Sequence, residues 1–128
     1  MKRLRPRATV QRRRASALHL RLDFGAERSI GPGKIRILEL IEETGSISAA
    51  GRALGMSYRQ AWLLVDELNR MFRLPLVSAQ IGGGGGGGAV LTKTGVKVIG
   101  IYRQMERQSR DASSAEIRAL SALLAALP

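Results

Sequence analysis

The chain has 128 residues, with 21 Lys and Arg against 10 Asp and Glu, a formal net charge of +11. That length suits one domain with a modest core, and 45% hydrophobic residues argue against global disorder. Cysteine is absent, which excludes a disulfide framework and any thiolate metal site. The single histidine, His19, excludes a histidine-based metal cluster.

The charge is uneven along the chain. Residues 1–22 hold Lys2, Arg3, Arg5, Arg7, Arg12, Arg13, Arg14 and Arg21 and no acid, while the rest holds 13 basic and 10 acidic residues, a net +3. Residues 1–16 therefore read as a disordered basic arm. Such an arm attracts phosphate without regard to base sequence; the alternative is a solvated tail that aids solubility. Arg12-Arg13-Arg14 precede ASALHLRLDFG, which is too short and too charged for the apolar core of an export signal. An Arg-rich organellar presequence is a weaker alternative. No apolar run reaches membrane-spanning length, and a cytoplasmic location is the simplest expectation.

Residues 17–24 alternate, with Leu18, Leu20, Leu22 and Phe24 facing one way, which predicts a strand. Gly31-Pro32-Gly33 breaks the chain, and a helix follows with Ile35, Leu38 and Ile41 on one side and Ile37 and Leu40 widening the stripe. Thr44-Gly45 ends it. Residues 46–73 then read as two helices joined at Leu54-Gly55-Met56, with Ser46 and Ser57 as the caps. Ile47, Ala50 and Leu54 point to the core, and the small Ala49, Ala50, Gly51 and Ala53 allow a close crossing. On the second helix Ala61, Leu64, Val65, Leu68 and Phe72 form the buried face. Arg59, Gln60, Leu63, Asp66, Glu67 and Arg70 form the other. Trp62 lies four residues after Tyr58, which predicts two aromatics stacked on one flank.

Pro75 stops this helix. Residues 76–81 and 89–91 read as two strands flanking Gly82, Gly83, Gly84, Gly85, Gly86, Gly87 and Gly88. A phosphate loop of the nucleotide-binding kind needs Lys and Ser or Thr after the glycines, and Ala89-Val90 stand there instead. A hairpin tip is preferred to an interdomain linker, and bare backbone can approach DNA closely. A helix from Lys93 to about Arg110 follows under a Thr92 cap. Its Val96, Ile99, Ile101, Tyr102 and Met105 occupy more than one side, which predicts a dimer contact or, alternatively, an intramolecular helix pair. A last Ala/Leu-rich helix runs from about Ser114 to Leu127.

The chemistry of the exposed face points to nucleic acid. Arg59 and Gln60 lie in the first turn of the second helix, where a recognition helix meets base edges. Arg pairs bidentately with guanine and Gln with adenine. Ser57 and Tyr58 are expected on phosphate, fixing register, and Lys34, Arg36 and Arg52 are further candidates. Each of the three could equally be a plain surface charge. Enzyme chemistry is not expected: Glu42-Glu43 and Asp66-Glu67 are neighbours in sequence and do not face each other on a helix, and no nucleophile motif is present. No cofactor or metal is implied.

Gly45 to Trp62 (GSISAAGRALGMSYRQAW), Asn69-Arg70-Met71, Pro75-Leu76-Val77, the glycine run and Ala89-Val90-Leu91-Thr92 together resemble the N-terminal domain of ModE-type transcriptional regulators, a molybdate-responsive family. Gly45-Ser-Ile-Ser and Leu91-Thr92-x-x-Gly95 also resemble the LysR-type regulators. The resemblance covers about residues 17–110. It implies DNA contact by Ser57, Tyr58, Arg59, Gln60 and the wing, and dimerisation through the helix after the wing. Ser78, Ala79 and Gln80 replace an acidic and then a basic residue usual after Leu-Val, so a wing-strand arginine contact lacks its residue. Full-length members carry molybdate-binding domains after this helix, and 128 residues leave no room for them. The oxyanion sensor is therefore expected to be absent, with no direct molybdate binding.

The expectation is a mainly α fold with a small β hairpin: a winged helix-turn-helix over 17–110 with its wing at 76–92, then a supporting helix at 111–128. Its C-terminal helices would dimerise it. The function expected is that of a sequence-specific DNA-binding transcriptional regulator acting as a homodimer on duplex DNA, with Leu63, Arg52 and Lys34 joining Ser57 to Gln60 and the glycines at the interface. The alternatives are a nonspecific architectural or RNA-binding protein and an interaction partner of a full-length regulator.

Overall fold

The computed structural model describes residues 16–80 and 88–128. The basic arm up to residue 15, Ile81 and the glycines 82–87 lie outside the described residues, and with them the expectations placed on the arm and on most of the glycine run. The chain divides into two bodies, residues 19–105 and residues 106–128 with 16–18.

The first body opens with a short antiparallel hairpin, β1 (Leu22–Gly25) paired with β2 (Arg28–Ile30). The alternation over 17–24 is thus only half realised as strand. Leu20 packs on the core instead, and its carbonyl accepts a 2.6 Å hydrogen bond from the Tyr102 hydroxyl. Leu22 and Phe24 stay exposed. The partner strand β2 has no counterpart in the sequence reading. The turn puts Ala26 (φ 52°) and Glu27 (φ 60°) in the left-handed region, without the Asn-Gly chemistry that usually marks such a turn.

Helix α1 (Pro32–Thr44) starts on proline because the missing N–H would be unpaired there anyway and φ is preset. Ile35, Ile37, Leu38, Leu40 and Ile41 are all buried, so α1 is the centre of the core. Each such side chain contributes about 1.5–3 kcal/mol by leaving water. Gly45 ends α1 at φ 72°, its N–H donating to the Ile41 carbonyl at 2.8 Å. Helix α2 (Ile47–Ala53) follows, capped by Ser46, which accepts from the Ala49 amide at 3.0 Å. A turn with Gly55 at φ 73° leads to α3 (Tyr58–Met71). The two helices cross at Gly51 and Ala61, where a β-carbon on Gly51 would lie 2.7 Å from that of Ala61. Helix α3 ends four residues before Pro75, and Phe72 turns aside to meet Phe24 edge to face, 6.5 Å between ring centres.

Strands β3 (Val77–Gln80) and β4 (Gly88–Leu91) pair antiparallel, in register from Val77 opposite Leu91 to Gln80 opposite Gly88. Three elements hold the root of this hairpin. Asn69 on α3 accepts from the Leu76 and Val77 amides at 2.8 and 3.0 Å and donates to the Val77 carbonyl at 3.0 Å. Thr92 donates to the Pro75 carbonyl at 2.7 Å and caps helix α4 (Lys93–Ala112) through the Gly95 amide at 3.0 Å. The Ala89 amide donates to the Gly45 carbonyl at 2.9 Å, tying β4 to the corner between α1 and α2. Gly95 is required by close approach, since any β-carbon there would run into the Leu76 carbonyl.

In the second body, α5 (Ser114–Ala122) buries no residue, and Leu120, Leu123, Leu124 and Leu127 are exposed. The helix stops five residues short of Leu127. Its last Ala/Leu turn has no packed face to stabilise it, and short helices depend on such packing.

Candidate DNA-binding surface

The site is built on α3. Ser57 accepts from the Gln60 amide at 3.1 Å while the Gln60 side-chain oxygen accepts from the Ser57 amide at 2.9 Å, a reciprocal capping box. This satisfies two orphan amides and sets where the helix begins. Ala61, Val65 and Leu68 are buried. Opposite them Arg59, Leu63, Asp66 and Arg70 follow at spacings of four, three and four, the outermost stripe of the helix. Asp66 and Arg70 satisfy each other at 3.1 Å. Arg59 is exposed and has no hydrogen bond or ion pair to another described residue.

Tyr58 and Trp62 lie on the flank of α3 that faces the wing. They line a shallow groove with Ser46 and Ser48 at the start of α2, Asn69, and the wing-root residues Ala79 and Gly88. They are 60% and 47% exposed and form no ring pair, so the expected stack is absent. The groove sets them side by side along one wall instead. Arg52 extends from α2, with one guanidinium N–H on the Ser48 hydroxyl at 2.9 Å, and is exposed. Ser46, Ser48 and Asn69 carried no contact-site signal in the sequence. Only the approach of α2 and the hairpin to α3 brings them together.

Three of the expected contacts meet competing partners within the fold. Lys34 is drawn inward: its ammonium donates to the Ser29 carbonyl at 2.8 Å and to Glu67 at 2.7 Å, and its side chain is only 16% exposed. Gln60 has its oxygen committed to the capping box, so bidentate pairing with adenine would require breaking that bond. Its amide nitrogen remains as a donor. On α4, Tyr102 and Ile99 turn toward their own fold. Tyr102 is buried with its hydroxyl on Leu20, and Ile99 packs against the core. Val96 and Ile101 are exposed and Met105 is half-buried.

Arg103 fastens α4 to α1 through Glu39, at 2.9 and 2.7 Å. The hydrogen bonds from Arg103 hold the Glu39 carboxyl below its ordinary value. Burial opposes this, and the Arg103 and Arg36 charges add to the lowering.

Two capped helices at a glycine turn, a hairpin pinned beside them and an exposed face with an arginine left unpaired among the described residues define a winged helix-turn-helix module, a fold that meets DNA through the second helix. The chain belongs to the bacterial regulatory helix-turn-helix proteins of the lysR family, whose model matches residues 33–96, half of its length. It is 46% identical over 77 residues to the molybdenum-pterin-binding protein MopB of Rhodobacter capsulatus, covering 60% of this chain and 28% of that protein. It is 36% identical over 91 residues to the molybdenum transport protein ModE of Azotobacter vinelandii (71% and 34%). It is also 38% identical over 100 residues to the DNA-binding transcriptional dual regulator ModE of Escherichia coli K12 (75% and 38%). The chain spans about a third of the length of these curated relatives. Among the described residues no helix is long and apolar enough to cross a membrane.

Proposed function

We propose that the chain is a sequence-specific, DNA-binding transcriptional regulator that acts as a homodimer in the cytoplasm, without enzymatic activity. The observation that carries this reading is Arg59: exposed, without a partner among the described residues, and held by a capped helix start in the position from which a recognition helix reads bases. Ser57 and Tyr58 serve as phosphate contacts that fix the register, and the hydroxyl hydrogen of Ser57 is still available for this. Arg52 adds backbone contact from α2. Val96 and Ile101, exposed on α4, support a contact with a second copy, and the exposed leucines of the second body supply further apolar surface. A two-fold dimer reads half-sites about 34–36 Å apart or a multiple of it. Molybdate added to this chain is expected to leave its DNA affinity unchanged.

The test is selection of bound sequences from a random duplex library at physiological salt. A two-fold symmetric motif is the expected result. Binding that enriches no motif and fades steeply with salt would overturn the reading in favour of nonspecific attraction by the basic arm.

A further inference from the structure

We propose that Leu63 is a base reader, taking the C5 methyl group of a thymine close to the base pair that Arg59 reads. This rests on the proposed sequence-specific binding of duplex DNA through α3. Leu63 is 46% exposed and stands on the outermost stripe of the helix, one turn after Arg59. Its neighbour in sequence, Leu64, packs against the core, whereas Leu63 is not among the residues packed there. The side chain therefore does little for its own fold. Beyond it on the stripe, Asp66 and Arg70 neutralise each other. On that outermost stripe the first two turns offer one guanidinium, unpaired among the described residues, and one branched aliphatic group, while Tyr58, Gln60 and Trp62 are exposed on the flanks.

Those two groups match two features of a major-groove edge. Guanine offers two acceptors to a planar fork, and thymine offers the C5 methyl as apolar surface. At the same point cytosine carries only a hydrogen on C5, with its amino donor alongside, and a purine turns its N7 acceptor outward. Leu63 would gain no methyl contact from cytosine and would strip water from a purine N7 without returning a hydrogen bond, which disfavours both. Four residues along a helix advance about 6 Å, and base pairs stack about 3.4 Å apart. The thymine therefore lies one or two base pairs from the guanine read by Arg59.

The experiment uses the full chain and the duplex it selects from a random library. Each thymine is replaced in turn by deoxyuridine, which removes the methyl and keeps every hydrogen-bonding group. The wild type is expected to bind about fourfold more weakly at one thymine per half-site, the effect of burying one methyl group. Leu63→Ala, a surface change whose folding is checked by its melting curve, is expected to bind the thymine and uracil duplexes alike at that position. Arg59→Ala, weaker on both, should keep the preference. The proposal is overturned if the wild type shows no methyl preference at any position, or if Leu63→Ala retains it. If the library enriches no sequence at all, the parent reading of α3 falls and takes this one with it. A motif without methyl discrimination removes the role of Leu63 alone.

Discussion

The first turns of α1 and α3 each carry a cation and put it to opposite use. Each helix follows a break in the chain and carries a cation within its first three residues, Lys34 in one and Arg59 in the other. Lys34 bends inward, gives two of its three ammonium protons to Ser29 and Glu67, and joins β2, α1 and α3. Arg59 points away from Ala61, Val65 and Leu68 and meets no described partner. A basic residue at a helix start is therefore no contact by position alone. What matters is how far its side chain is drawn inward and how many of its donors are already used, since the two held by partners at 2.7–2.8 Å are not free for phosphate.

The contrast can be broken by exchanging the readouts. Arg59→Ala should weaken specific DNA binding by roughly 1–3 kcal/mol and relax one base preference, with the melting temperature unmoved. Quantitative electrophoretic titration on matched and mismatched duplexes measures it, and unchanged affinity and preference would end the assignment. Lys34→Met should do the reverse. It leaves the Ser29 carbonyl without its donor and costs about 1–2 kcal/mol of stability, read by urea unfolding, with DNA affinity within about twofold of wild type. A large loss of affinity in a stably folded Lys34→Met would place Lys34 at the interface.

Gln60 sharpens the contrast because it sits between the two fates. Gln60→Ala should cost about 0.3–1.5 kcal/mol of stability through the lost capping box. Gln60→Glu keeps the acceptor for the Ser57 amide and should retain that stability. If the two variants bind DNA equally well, Gln60 belongs to the fold; if Gln60→Glu binds far more weakly, its remaining amide donor faces the groove. The smallest effect concerns Glu39. Its folded pKa is lowered below 4.5, so the unfolded chain takes up the proton first as pH falls. The stability it contributes is full above the unfolded value and is lost as pH falls through the lower folded value. Melting curves from about pH 7 to about pH 3 should show this loss in the wild type and a flatter course in Glu39→Gln. DNA affinity at neutral pH should be the same in both.

Much of the module is legible from residues near each other in the chain. Ser46, Ser57 and Thr92 cap the helices that follow them because a hydroxyl three residues upstream reaches an orphan amide with no help from elsewhere. Gly45 and Gly55 mark the corners because each adopts a left-handed backbone. The buried stripes of α1 and α3 follow from helical period alone. The β1–β2 hairpin escapes such reading because Ala26 and Glu27 are poor advertisements for its turn. Asn69 escapes for a different reason: a polar residue near the end of an amphipathic helix looks solvated until the wing root folds back onto it.

The sequence by itself determined the helix-turn-helix, its caps and the outward stripe with Arg59 and Leu63, because period and capping are local physics acting over four residues. Only the tertiary structure decided which cations and apolar side chains remain available. Lys34 is claimed by a carboxylate 33 residues away, and Tyr102 by a carbonyl 82 residues away. Neither partner can be inferred from spacing. A surface is what remains after the chain has satisfied its own donors and buried its own apolar groups, and that remainder is fixed by packing between distant segments.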